Sequence, residues 1–495
     1  MGVGHDGESG VTLPQIRADV VVIGGGLAGI SAAIELAEAG RGVTVLEARP
    51  WLGGATCSFG RRGLTIDNGQ HAFLRCHTAY RDLLARLGVT SSCSIQDRLQ
   101  LTVLADAPAG RAILRRSALP APLNLARALA RYQLLSRAER AKVGAAAVAL
   151  RFAGVAGRDD RSFGDWLATH GQDERARTMI WDWLCAAALN VTPAHADLQL
   201  AASAIKAAVL TGRGTADIGL STVPLSRLHG GPAAALLGRL GVTIRLGTRA
   251  VAVQPGAAGG YQIIVAAGDA DPGGDPGPAL ESAGEICCDG VVIAVPARCA
   301  AALAPPALAG EAARWSRLAV SPVVSLHVIY ARRVTRLPFA AVAGAPVCWV
   351  IDKSSAAGLH GGQYLAASVP AADEYVGMPA GRLRERLLPT LERLFPAAAD
   401  TNVEDFFVTR ERRATIRHEP GSQRLRPAPA AGLPGLAVAG AWTDTGWPDT
   451  MEGAVRSGRL AAQKLIAQRA GEPGATTAPG PARSSAPAAT SGASR

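Results

Sequence analysis

The chain has 495 residues, of which 48% are hydrophobic, and a net charge of +11; this length and composition predict a globular protein with a large core and two domains. No run of about eighteen apolar residues occurs, which argues against a transmembrane helix. The N-terminal residues lack the apolar core of a secretory signal, so we expect a cytoplasmic protein. The eight cysteines form no CxxC pair, and we expect no metal site.

The positive charge comes almost entirely from arginine, with only four lysines in the chain. Nucleic-acid binding is one interpretation of such a composition, but no basic patch interleaved with aromatic residues is present, and we expect no nucleic-acid partner. Between Arg111 and Arg151, arginine alternates with leucine and alanine, as in segments that lie on an anionic membrane. An ordinary solvated helix face explains the same pattern equally well.

The first predicted elements form a dinucleotide-binding unit. An apolar strand runs into Gly24, Gly26 and Gly29, a helix follows, and a second strand ends at Glu47. The three glycines permit a tight turn, admit a pyrophosphate to the helix N-terminus and let the helix pack closely on the strand. The N–H groups and the dipole of the helix hold the phosphates. Glu47 is placed to accept hydrogen bonds from ribose hydroxyls.

Further along the chain, α/β patterns return in two more blocks, separated by a helix-rich stretch and by a mixed one. We therefore expect an α/β fold: a Rossmann-like nucleotide-binding domain built from three segments, with an inserted α+β substrate domain. A Gly/Pro/Asp-rich stretch at 268–284 predicts an exposed hairpin tip. The predicted boundaries are 1–14 and 470–495 for disordered tails, 15–80, 222–299 and 432–469 for the nucleotide-binding domain, and 81–221 and 300–431 for the substrate domain.

Two motifs point to a flavin. Residues 48–54 resemble the Arg-x-x-x-Gly-Gly element of FAD enzymes of the amine oxidase and phytoene desaturase superfamily. Residues 438–458 resemble the closing flavin motif of the same superfamily, in which a helix beginning near Thr450 directs its N-terminus at the flavin. The chain departs from the superfamily at Ala55, where arginine is usual, and at Ala441, where an aspartate usually binds a ribityl hydroxyl.

Within that superfamily the chain resembles the hydroxysqualene dehydroxylases, also known as squalene-associated FAD-dependent desaturases. The resemblance implies FAD as cofactor and reductive removal of the hydroxyl group of hydroxysqualene, giving squalene for bacterial squalene and hopanoid synthesis. It also implies a lipid substrate, peripheral contact with the cytoplasmic membrane and association with squalene-pathway synthases. The stretches that carry it are 67–71, 181–190, 349–353 and 442–458.

The reaction implied by the resemblance needs a proton donor, a hydride donor and a dry site. His71, Asp444 and Asp449 are the candidate acids, because a carboxyl group in a dry pocket has a raised pKa. Asp449 is equally well explained as a helix cap, and His71 as a partner of flavin or backbone atoms. We expect Lys353 to be a surface lysine. Trp181 and Trp183 are expected to pack inside the substrate domain.

Two other functions remain open on the sequence alone. One is oxidation of a polyene precursor by a carotenoid or phytoene-type FAD desaturase. The other is a non-catalytic flavin- or lipid-binding partner of squalene synthases, suggested by Ala441. The candidate FAD-binding residues are Gly24, Gly26, Leu27, Ala28, Gly29, Glu47, Ala48, Arg49, Gly53, Gly54, Gly69, Gln70, Val251, Gly440, Thr450, Met451 and Glu452.

Overall fold

The structure, a computed structural model, describes residues 16–106, 108–153, 160–267, 284–429 and 433–470. The strands are β1 (Ile16–Ile23), β2 (Val43–Glu47), β3 (Ser58–Arg61), β4 (Leu64–Asp67), β5 (Ala72–Leu74), β6 (Cys93–Ile95), β7 (Gln100–Ala105), β8 (Gly110–Arg115), β9 (Ile218–Ser221), β10 (Thr243–Leu246), β11 (Thr248–Pro255), β12 (Tyr261–Ala267), β13 (Gly284–Ile293), β14 (Val320–Tyr330), β15 (Phe339–Ala343), β16 (Trp349–Asp352), β17 (Gln363–Val369), β18 (Val403–Ile416) and β19 (Leu436–Val438).

Helices alternate with these strands, and two of the helices continue through a π-helical turn. The helices are α1 (Leu27–Glu38), α2 (Thr78–Arg86), α3 (Ala126–Ala130), α4 (Arg137–Leu150), α5 (Phe163–Thr169), α6 (Glu174–Ala176), α7 (Asp182–Leu189), α8 (Leu198–Ile205), α9 (Leu225–Leu228), α10 (Gly230–Arg239), α11 (Ala297–Leu303), α12 (Ala309–Trp315), α13 (Ser354–Ala357), α14 (Ala380–Leu394), α15 (Pro396–Ala399) and α16 (Met451–Ala470). The π-helical turns are Arg177–Trp181, between α6 and α7, and Lys206–Leu210, after α8.

The first large sheet has the strand order β10-β2-β1-β13-β12-β11, with β19 also paired to β13. Strands β10, β2, β1, β13 and β19 run parallel, while β12 and β11 are antiparallel to their neighbours. Side chains alternate across β1, so that Val20 and Val22 pack in one core with α1 and α16, and Val21 and Ile23 pack in the core on the other face. A parallel sheet covered on both faces needs such an apolar run in its central strand.

The second large sheet has the order β18-β14-β17-β16-β15-β7-β8. One of its faces is covered by α14, and the other by the helices between α4 and α8. Trp181 and Trp183 lie in that helical layer and are buried, as predicted. Of two smaller sheets, β3-β4 precedes the helix-rich stretch, and β5-β9-β6 joins strands from its start and its end.

Two parts of the chain differ from the sequence-based expectation. The stretch expected to be helix-rich also contains β7 and β8, which form one edge of the second sheet. The short apolar run of β7 is typical of a buried strand, but it is close in sequence to Ala- and Arg-rich helices, and the strand was not predicted. The hairpin β3-β4 was also missed. The strands around the expected hairpin tip pair antiparallel, but 268–283 and both predicted tails lie outside the described residues, apart from helical Ala470.

Among the residues that the structure describes, no helix is long and apolar enough to cross a membrane.

Candidate functional site

Three distant parts of the chain meet at the carboxyl ends of the parallel strands. The turn at Gly24 follows β1, Ala294 follows β13, and Gly440 follows β19. A Cβ atom on Gly24 would lie 2.4 Å from the carbonyl oxygen of Ala294, and the indole N–H of Trp442 donates to the carbonyl of Val295 at 2.9 Å. In open α/β sheets a nucleotide binds at this edge, and the structure therefore brings the predicted glycine turn to the predicted C-terminal motif.

Glycine occurs at positions 29 and 26 of the first turn for different reasons. A Cβ atom on Gly29 would lie 1.8 Å from the carbonyl oxygen of Gly24, so close packing of α1 on the turn requires this glycine. Gly26 is different: its φ of −76° suits any residue, and the atom nearest to an added Cβ is the Cα of Gly54, at 3.8 Å. Neither conformation nor packing requires glycine at 26. A group bound at the N-terminus of α1 explains it.

A second loop faces the same helix terminus. The N–H of Gly53 donates to the carbonyl of Gly25 at 2.9 Å, and Gly54, at φ +58°, approaches Gly26 so closely that an added Cβ would lie 2.8 Å from its Cα. The guanidinium of Arg49 donates to the Gly54 carbonyl at 3.2 Å. Leu27 and Ala28, the next predicted residues, form the first turn of α1; Ala48 lies beside Arg49, between the two loops.

Glu47 fixes the two loops at 24–29 and 53–54, which together we call the glycine cradle. Its carboxylate accepts hydrogen bonds from the N–H of Gly25, at 2.6 Å, and from the N–H of Arg49, at 2.9 Å. The carboxylate therefore fixes both loops, and ribose binding by Glu47 stays a prediction. Val251 lies further along the same sheet, at a register shift in β11 between Ala250 and Ala252, and is 38% exposed.

The C-terminal motif is fixed to α16 by buried hydroxyl groups. Ser457 accepts a hydrogen bond from the N–H of Gly440 at 3.0 Å, and its hydroxyl oxygen lies 2.6 Å from that of Thr443. Thr450 and Met451 begin α16, and the hydroxyl of Thr450 accepts from the N–H of Gly453 at 3.2 Å. Gly458, two turns into α16, lies against the first turn of α1, where an added Cβ would be 2.1 Å from the carbonyl oxygen of Ala28.

Glu452 has a side-chain role that the sequence did not reveal. Its carboxylate is fully buried and accepts from the N–H groups of Ala79, at 3.2 Å, and Tyr80, at 2.8 Å, in the first turn of α2. Arg456, one turn further along α16, donates to it at 2.6 Å. The carboxylate therefore caps α2, and only the backbone of Glu452 stays available for a cofactor.

Arg426 holds the segment that carries Ala441. Its buried guanidinium donates to the carbonyl groups of Ala441 (3.2 Å), Trp442 (3.1 Å), Thr443 (2.5 Å) and Trp447 (2.7 Å). These four bonds fix the loop through its backbone carbonyl groups and not through the side chain at position 441, where aspartate is usual. The loop is therefore well fixed, although Ala441 offers no side-chain hydrogen bond of its own.

The two candidate aspartates of this motif lie in different environments. Asp444 is exposed and accepts from the N–H of Gly446 in a turn at 3.3 Å. Asp449 lies deep in the molecule but keeps some accessible surface; its Oδ2 accepts from the N–H of Ile416 at 2.8 Å, and burial raises its pKa to about 6. Its side chain does not cap α16, so Asp449 has the environment of an acid and Asp444 that of a turn residue.

The C-terminal motif forms one wall of the candidate site, and the segment from Asn68 to His71 forms the other. Asn68 donates to the carboxylate of Glu411 on β18 at 3.0 Å, and its carbonyl accepts from the hydroxyl of Thr409 at 2.8 Å. Gly69 is buried beneath the imidazole of His71. Burial lowers the pKa of His71 to about 4, despite the opposing charge of Asp67, so this imidazole is neutral at pH 7 and poorly suited to donate a proton as imidazolium.

Two buried polar atoms of these walls have no hydrogen-bond partner among the described residues: the Nε2 amide of Gln70 and the hydroxyl of Thr445. An unpaired buried donor is costly. Both atoms are available to a polar cofactor such as FAD, and an added Cβ on Gly26 would meet no atom closer than 3.8 Å. No group of three or more His, Cys, Asp or Glu side chains that could hold a metal is found in the described ranges.

Lys353 is not the surface residue we expected. Its Nζ lies 2.8 Å from Oδ2 of Asp67, and the two side chains are 11% and 2% exposed. The Asp67 carboxylate also accepts from the N–H of Leu225 at 2.9 Å and from the hydroxyl of Ser58 at 2.7 Å. The expectation was wrong because β16 ends against β4 only in the folded chain. The pair adjoins His71, whose pKa both charges influence.

Replacing Lys353 with methionine is expected to lower the free energy of unfolding by about 3–5 kcal/mol, because Asp67 would keep a buried charge without its partner. The double variant Lys353→Met/Asp67→Asn should be clearly more stable than the single one, as chemical denaturation of the three proteins would measure. Lys142→Met, at a half-exposed lysine 3.9 Å from Asp173, is the matched control, with an expected change below about 0.5 kcal/mol. Equal losses in the single and double variants would contradict the coupling.

Other residues near this wall had no local signal in the sequence. His327 on β14 lies 2.6 Å from the hydroxyl of Tyr364 and 2.9 Å from that of Thr409, and burial lowers its pKa to about 3. Burial also raises the pKa of Glu411, whose carboxylate accepts from Asn68. These residues come from strands of the second sheet, and only the pairing of β14, β17 and β18 brings them to the site.

The converging strand ends, the glycine cradle and the two unpaired buried donors are features of a dinucleotide-binding site. A family model described as flavin containing amine oxidoreductase matches residues 27–466, and the chain belongs to this family. It is thus an FAD-dependent oxidoreductase, as predicted.

Curated relatives match along most of the chain. A hydroxysqualene dehydroxylase from Rhodopseudomonas palustris is 28% identical, over 90% of this chain and 98% of the relative. One from Sinorhizobium fredii is also 28% identical, over 91% of this chain and 99% of the relative. A 15-cis-phytoene desaturase from Narcissus pseudonarcissus is 23% identical, over 92% and 80%. The chain is therefore similar to both groups, with higher identity to the dehydroxylases.

Solved structures share the fold. A putrescine oxidase aligns with a TM-score of 0.68 and 17% identity, over 92% of this chain and all of the other. The cyclohexylamine oxidase of Brevibacterium oxydans aligns with a TM-score of 0.67 and 18% identity, over 92% and 99%. These likenesses confirm the predicted α/β fold class, a Rossmann-like nucleotide-binding domain with a substrate domain.

Proposed function

We propose that this enzyme removes the hydroxyl group of hydroxysqualene reductively, giving squalene and water. The 28% identity to two hydroxysqualene dehydroxylases over nearly their whole length supports the substrate. The observation that carries the chemistry is Asp449, a deep carboxyl group with a pKa of about 6 beside the N-terminus of α16. Such a group is partly protonated near neutral pH and serves as a general acid.

In the proposed reaction the proton of Asp449 passes to the hydroxyl oxygen of the substrate, and the allylic C–O bond breaks to release water. FAD, held by the residues around Gly26 and Gly440, would in its reduced form supply the hydride for the new C–H bond and would be oxidised. On the protein side, Oδ2 of Asp449 is occupied by the N–H of Ile416, while Oδ1 accepts no hydrogen bond from the described residues. Oδ1 is therefore the oxygen that holds the transferable proton.

The surroundings of Asp449 favour this protonation state. Its own N–H donates to Nε2 of His418 at 2.9 Å, and burial lowers the pKa of His418 to about 3, so this neighbour is neutral at pH 7. The hydrogen bond from the N–H of Ile416 and the charge of Arg426 oppose the shift by favouring the carboxylate, but burial is the larger cause. The balance of these effects keeps the pKa of Asp449 close to neutral pH, where an acid can both give up and regain its proton.

An isoprenoid substrate needs an apolar binding region that excludes water. Apolar side chains that keep accessible surface while packed on the buried core include Leu184, Val209 and Trp349. These residues lie between the helical layer and the second sheet and suit a hydrocarbon chain, whose burial gains about 0.8 kcal/mol per CH2 group. With this substrate we also propose a role in squalene and hopanoid synthesis, peripheral membrane contact and association with squalene-pathway synthases.

The test is anaerobic turnover by FAD-loaded, chemically reduced enzyme, with hydroxysqualene or phytoene supplied in detergent and products identified by mass spectrometry. The proposal requires squalene from hydroxysqualene, in proportion to the flavin oxidised. Oxidised enzyme is incubated with phytoene in parallel. Conversion of phytoene to a more unsaturated product, without dehydroxylation of hydroxysqualene, would establish the desaturase function suggested by the 23% identical relatives.

A further inference from the structure

A basic cavity lies on the second sheet, away from the flavin site. It has a volume of about 740 Å³ and is lined by six arginines, which we call the arginine basin. Strand β8 forms one side of it, and its alternation directs Arg111, Ile113 and Arg115 to the exposed face and Ala112 to the core. The arginines are Arg98, Arg111, Arg115, Arg116, Arg127 and Arg131.

Within the described part of the chain, only one arginine of the basin has an acidic partner. Arg116 is fixed by Asp217, with nitrogen–oxygen distances of 2.7 and 2.9 Å. The other five are exposed and have no acidic partner among the described residues. Residues 97–152 contain ten basic and three acidic side chains, and one of the acids, Asp106, is paired with Arg393 at 2.7 Å. The basin is therefore an uncompensated positive site suited to phosphate groups.

Exposed apolar side chains surround the same part of the chain. In the described ranges the four large hydrophobic residues that are more than half exposed are Leu119 (52%), Leu123 (55%), Val148 (54%) and Phe152 (71%). Leu119 and Leu123 lie on the connection from β8 to α3, Val148 lies on α4 and Phe152 lies two residues after its end. Helix α3 packs on α4. A surface that only met water would not concentrate such side chains beside unpaired guanidinium groups. Together they suit a bilayer interface, with arginines at the headgroups and apolar side chains below them.

We propose that the arginine basin and the surrounding residues Leu119, Leu123, Val148 and Phe152 form the surface by which this protein docks on an anionic lipid bilayer, with lipid phosphate groups seated in the basin. Charge complementarity favours a bilayer over a second copy of this strongly basic chain. The proposal rests on the proposed function only in so far as a lipid substrate resides in a membrane. The site is separate from the glycine cradle and from Asp449.

The test is co-sedimentation of the full-length, FAD-loaded protein with vesicles of phosphatidylcholine, with and without 30% phosphatidylglycerol, at low and high salt. We expect binding that requires phosphatidylglycerol and weakens with salt. The variant Arg111→Gln/Arg115→Gln/Arg131→Gln should reduce the partition coefficient on the order of 100-fold, or roughly fivefold for each charge. The control Arg239→Gln/Arg317→Gln/Arg336→Gln removes the same charge from other surfaces and should change it less than about tenfold.

The apolar part is tested with Phe152→Ser/Leu119→Ser, which should lose the binding that persists at high salt. Absence of phosphatidylglycerol-dependent binding, or equal losses in the basin and control variants, would overturn the proposal; so would protection from heat by inorganic pyrophosphate without vesicle binding. Flavin absorbance, together with turnover in detergent, should be unchanged in the basin variant. If the parent protein does not turn over hydroxysqualene, the proposed function is contradicted. The vesicle result does not depend on that outcome and can still be interpreted.

Discussion

Replacing Asp449 with asparagine is expected to slow dehydroxylation of hydroxysqualene by about 10²- to 10⁴-fold, the usual contribution of a general acid. Asparagine keeps the shape of the side chain, and its oxygen can still accept from the N–H of Ile416. Flavin binding should therefore be preserved while the transferable proton is lost. Single turnover of the reduced enzyme under anaerobic conditions, with squalene measured by mass spectrometry, isolates the chemical step.

Asp444→Asn is the matched comparison, because Asp444 lies in the same motif but is exposed in a turn; we expect a change of less than about threefold. The pH dependence separates acid catalysis from a structural effect. Since only protonated Asp449 is active, the parent rate should be constant below pH 6 and fall about tenfold per pH unit above it. A flat profile in the parent, or a full rate in Asp449→Asn, would remove Asp449 from the mechanism.

The same titration affects stability with a defined sign. The pKa of Asp449 is raised in the folded protein, from 3.8 to about 6, so its contribution to stability is fully present below about pH 4 and is lost as the pH rises through 6. Asparagine does not titrate. Relative to the parent, Asp449→Asn should therefore gain unfolding free energy between pH 5 and pH 8, which urea denaturation at the two pH values would measure.

The second large effect is expected from two alanine substitutions only three residues apart. Gly29→Ala places a methyl group 1.8 Å from the carbonyl oxygen of Gly24, so α1 must move away from β1; we expect a loss of about 3 kcal/mol or more in unfolding free energy. Gly26→Ala meets no atom closer than 3.8 Å. It should fold with a change below about 1 kcal/mol, yet bind FAD about 10- to 100-fold more weakly.

Each variant is the control for the other, because the chemical change is identical. Thermal unfolding of the FAD-free proteins measures the packing effect, and titration of the same proteins with FAD, followed by flavin fluorescence, measures the cradle. A Gly26→Ala protein that binds FAD like the parent would show that the pyrophosphate does not lie at the N-terminus of α1. Equal destabilisation by both changes would contradict the distinction between packing and binding glycines.

The sequence by itself determined the features that depend on local order. The strand, glycine turn and helix around Gly26 could be predicted because their spacing is fixed within one continuous segment. The helix that begins at Met451 and the resemblance of its motif to flavin enzymes were equally local. The FAD cofactor and the fold class followed from these segments, and the relatives confirm both. The domain boundaries and the roles of the individual site residues stay predictions.

Only the tertiary structure decided what surrounds those segments. Glu452 caps a helix 373 residues away in the chain, and Lys353 is buried because it meets Asp67. Asp449 has its raised pKa because the folded chain buries it, although the N–H of Ile416 at the end of β18 favours the carboxylate. Charge, burial and hydrogen bonding depend on all neighbours in space, and a side chain has no local pattern that specifies distant neighbours. The sequence therefore identified which residues are chemically able to act, while packing determined their protonation states and partners.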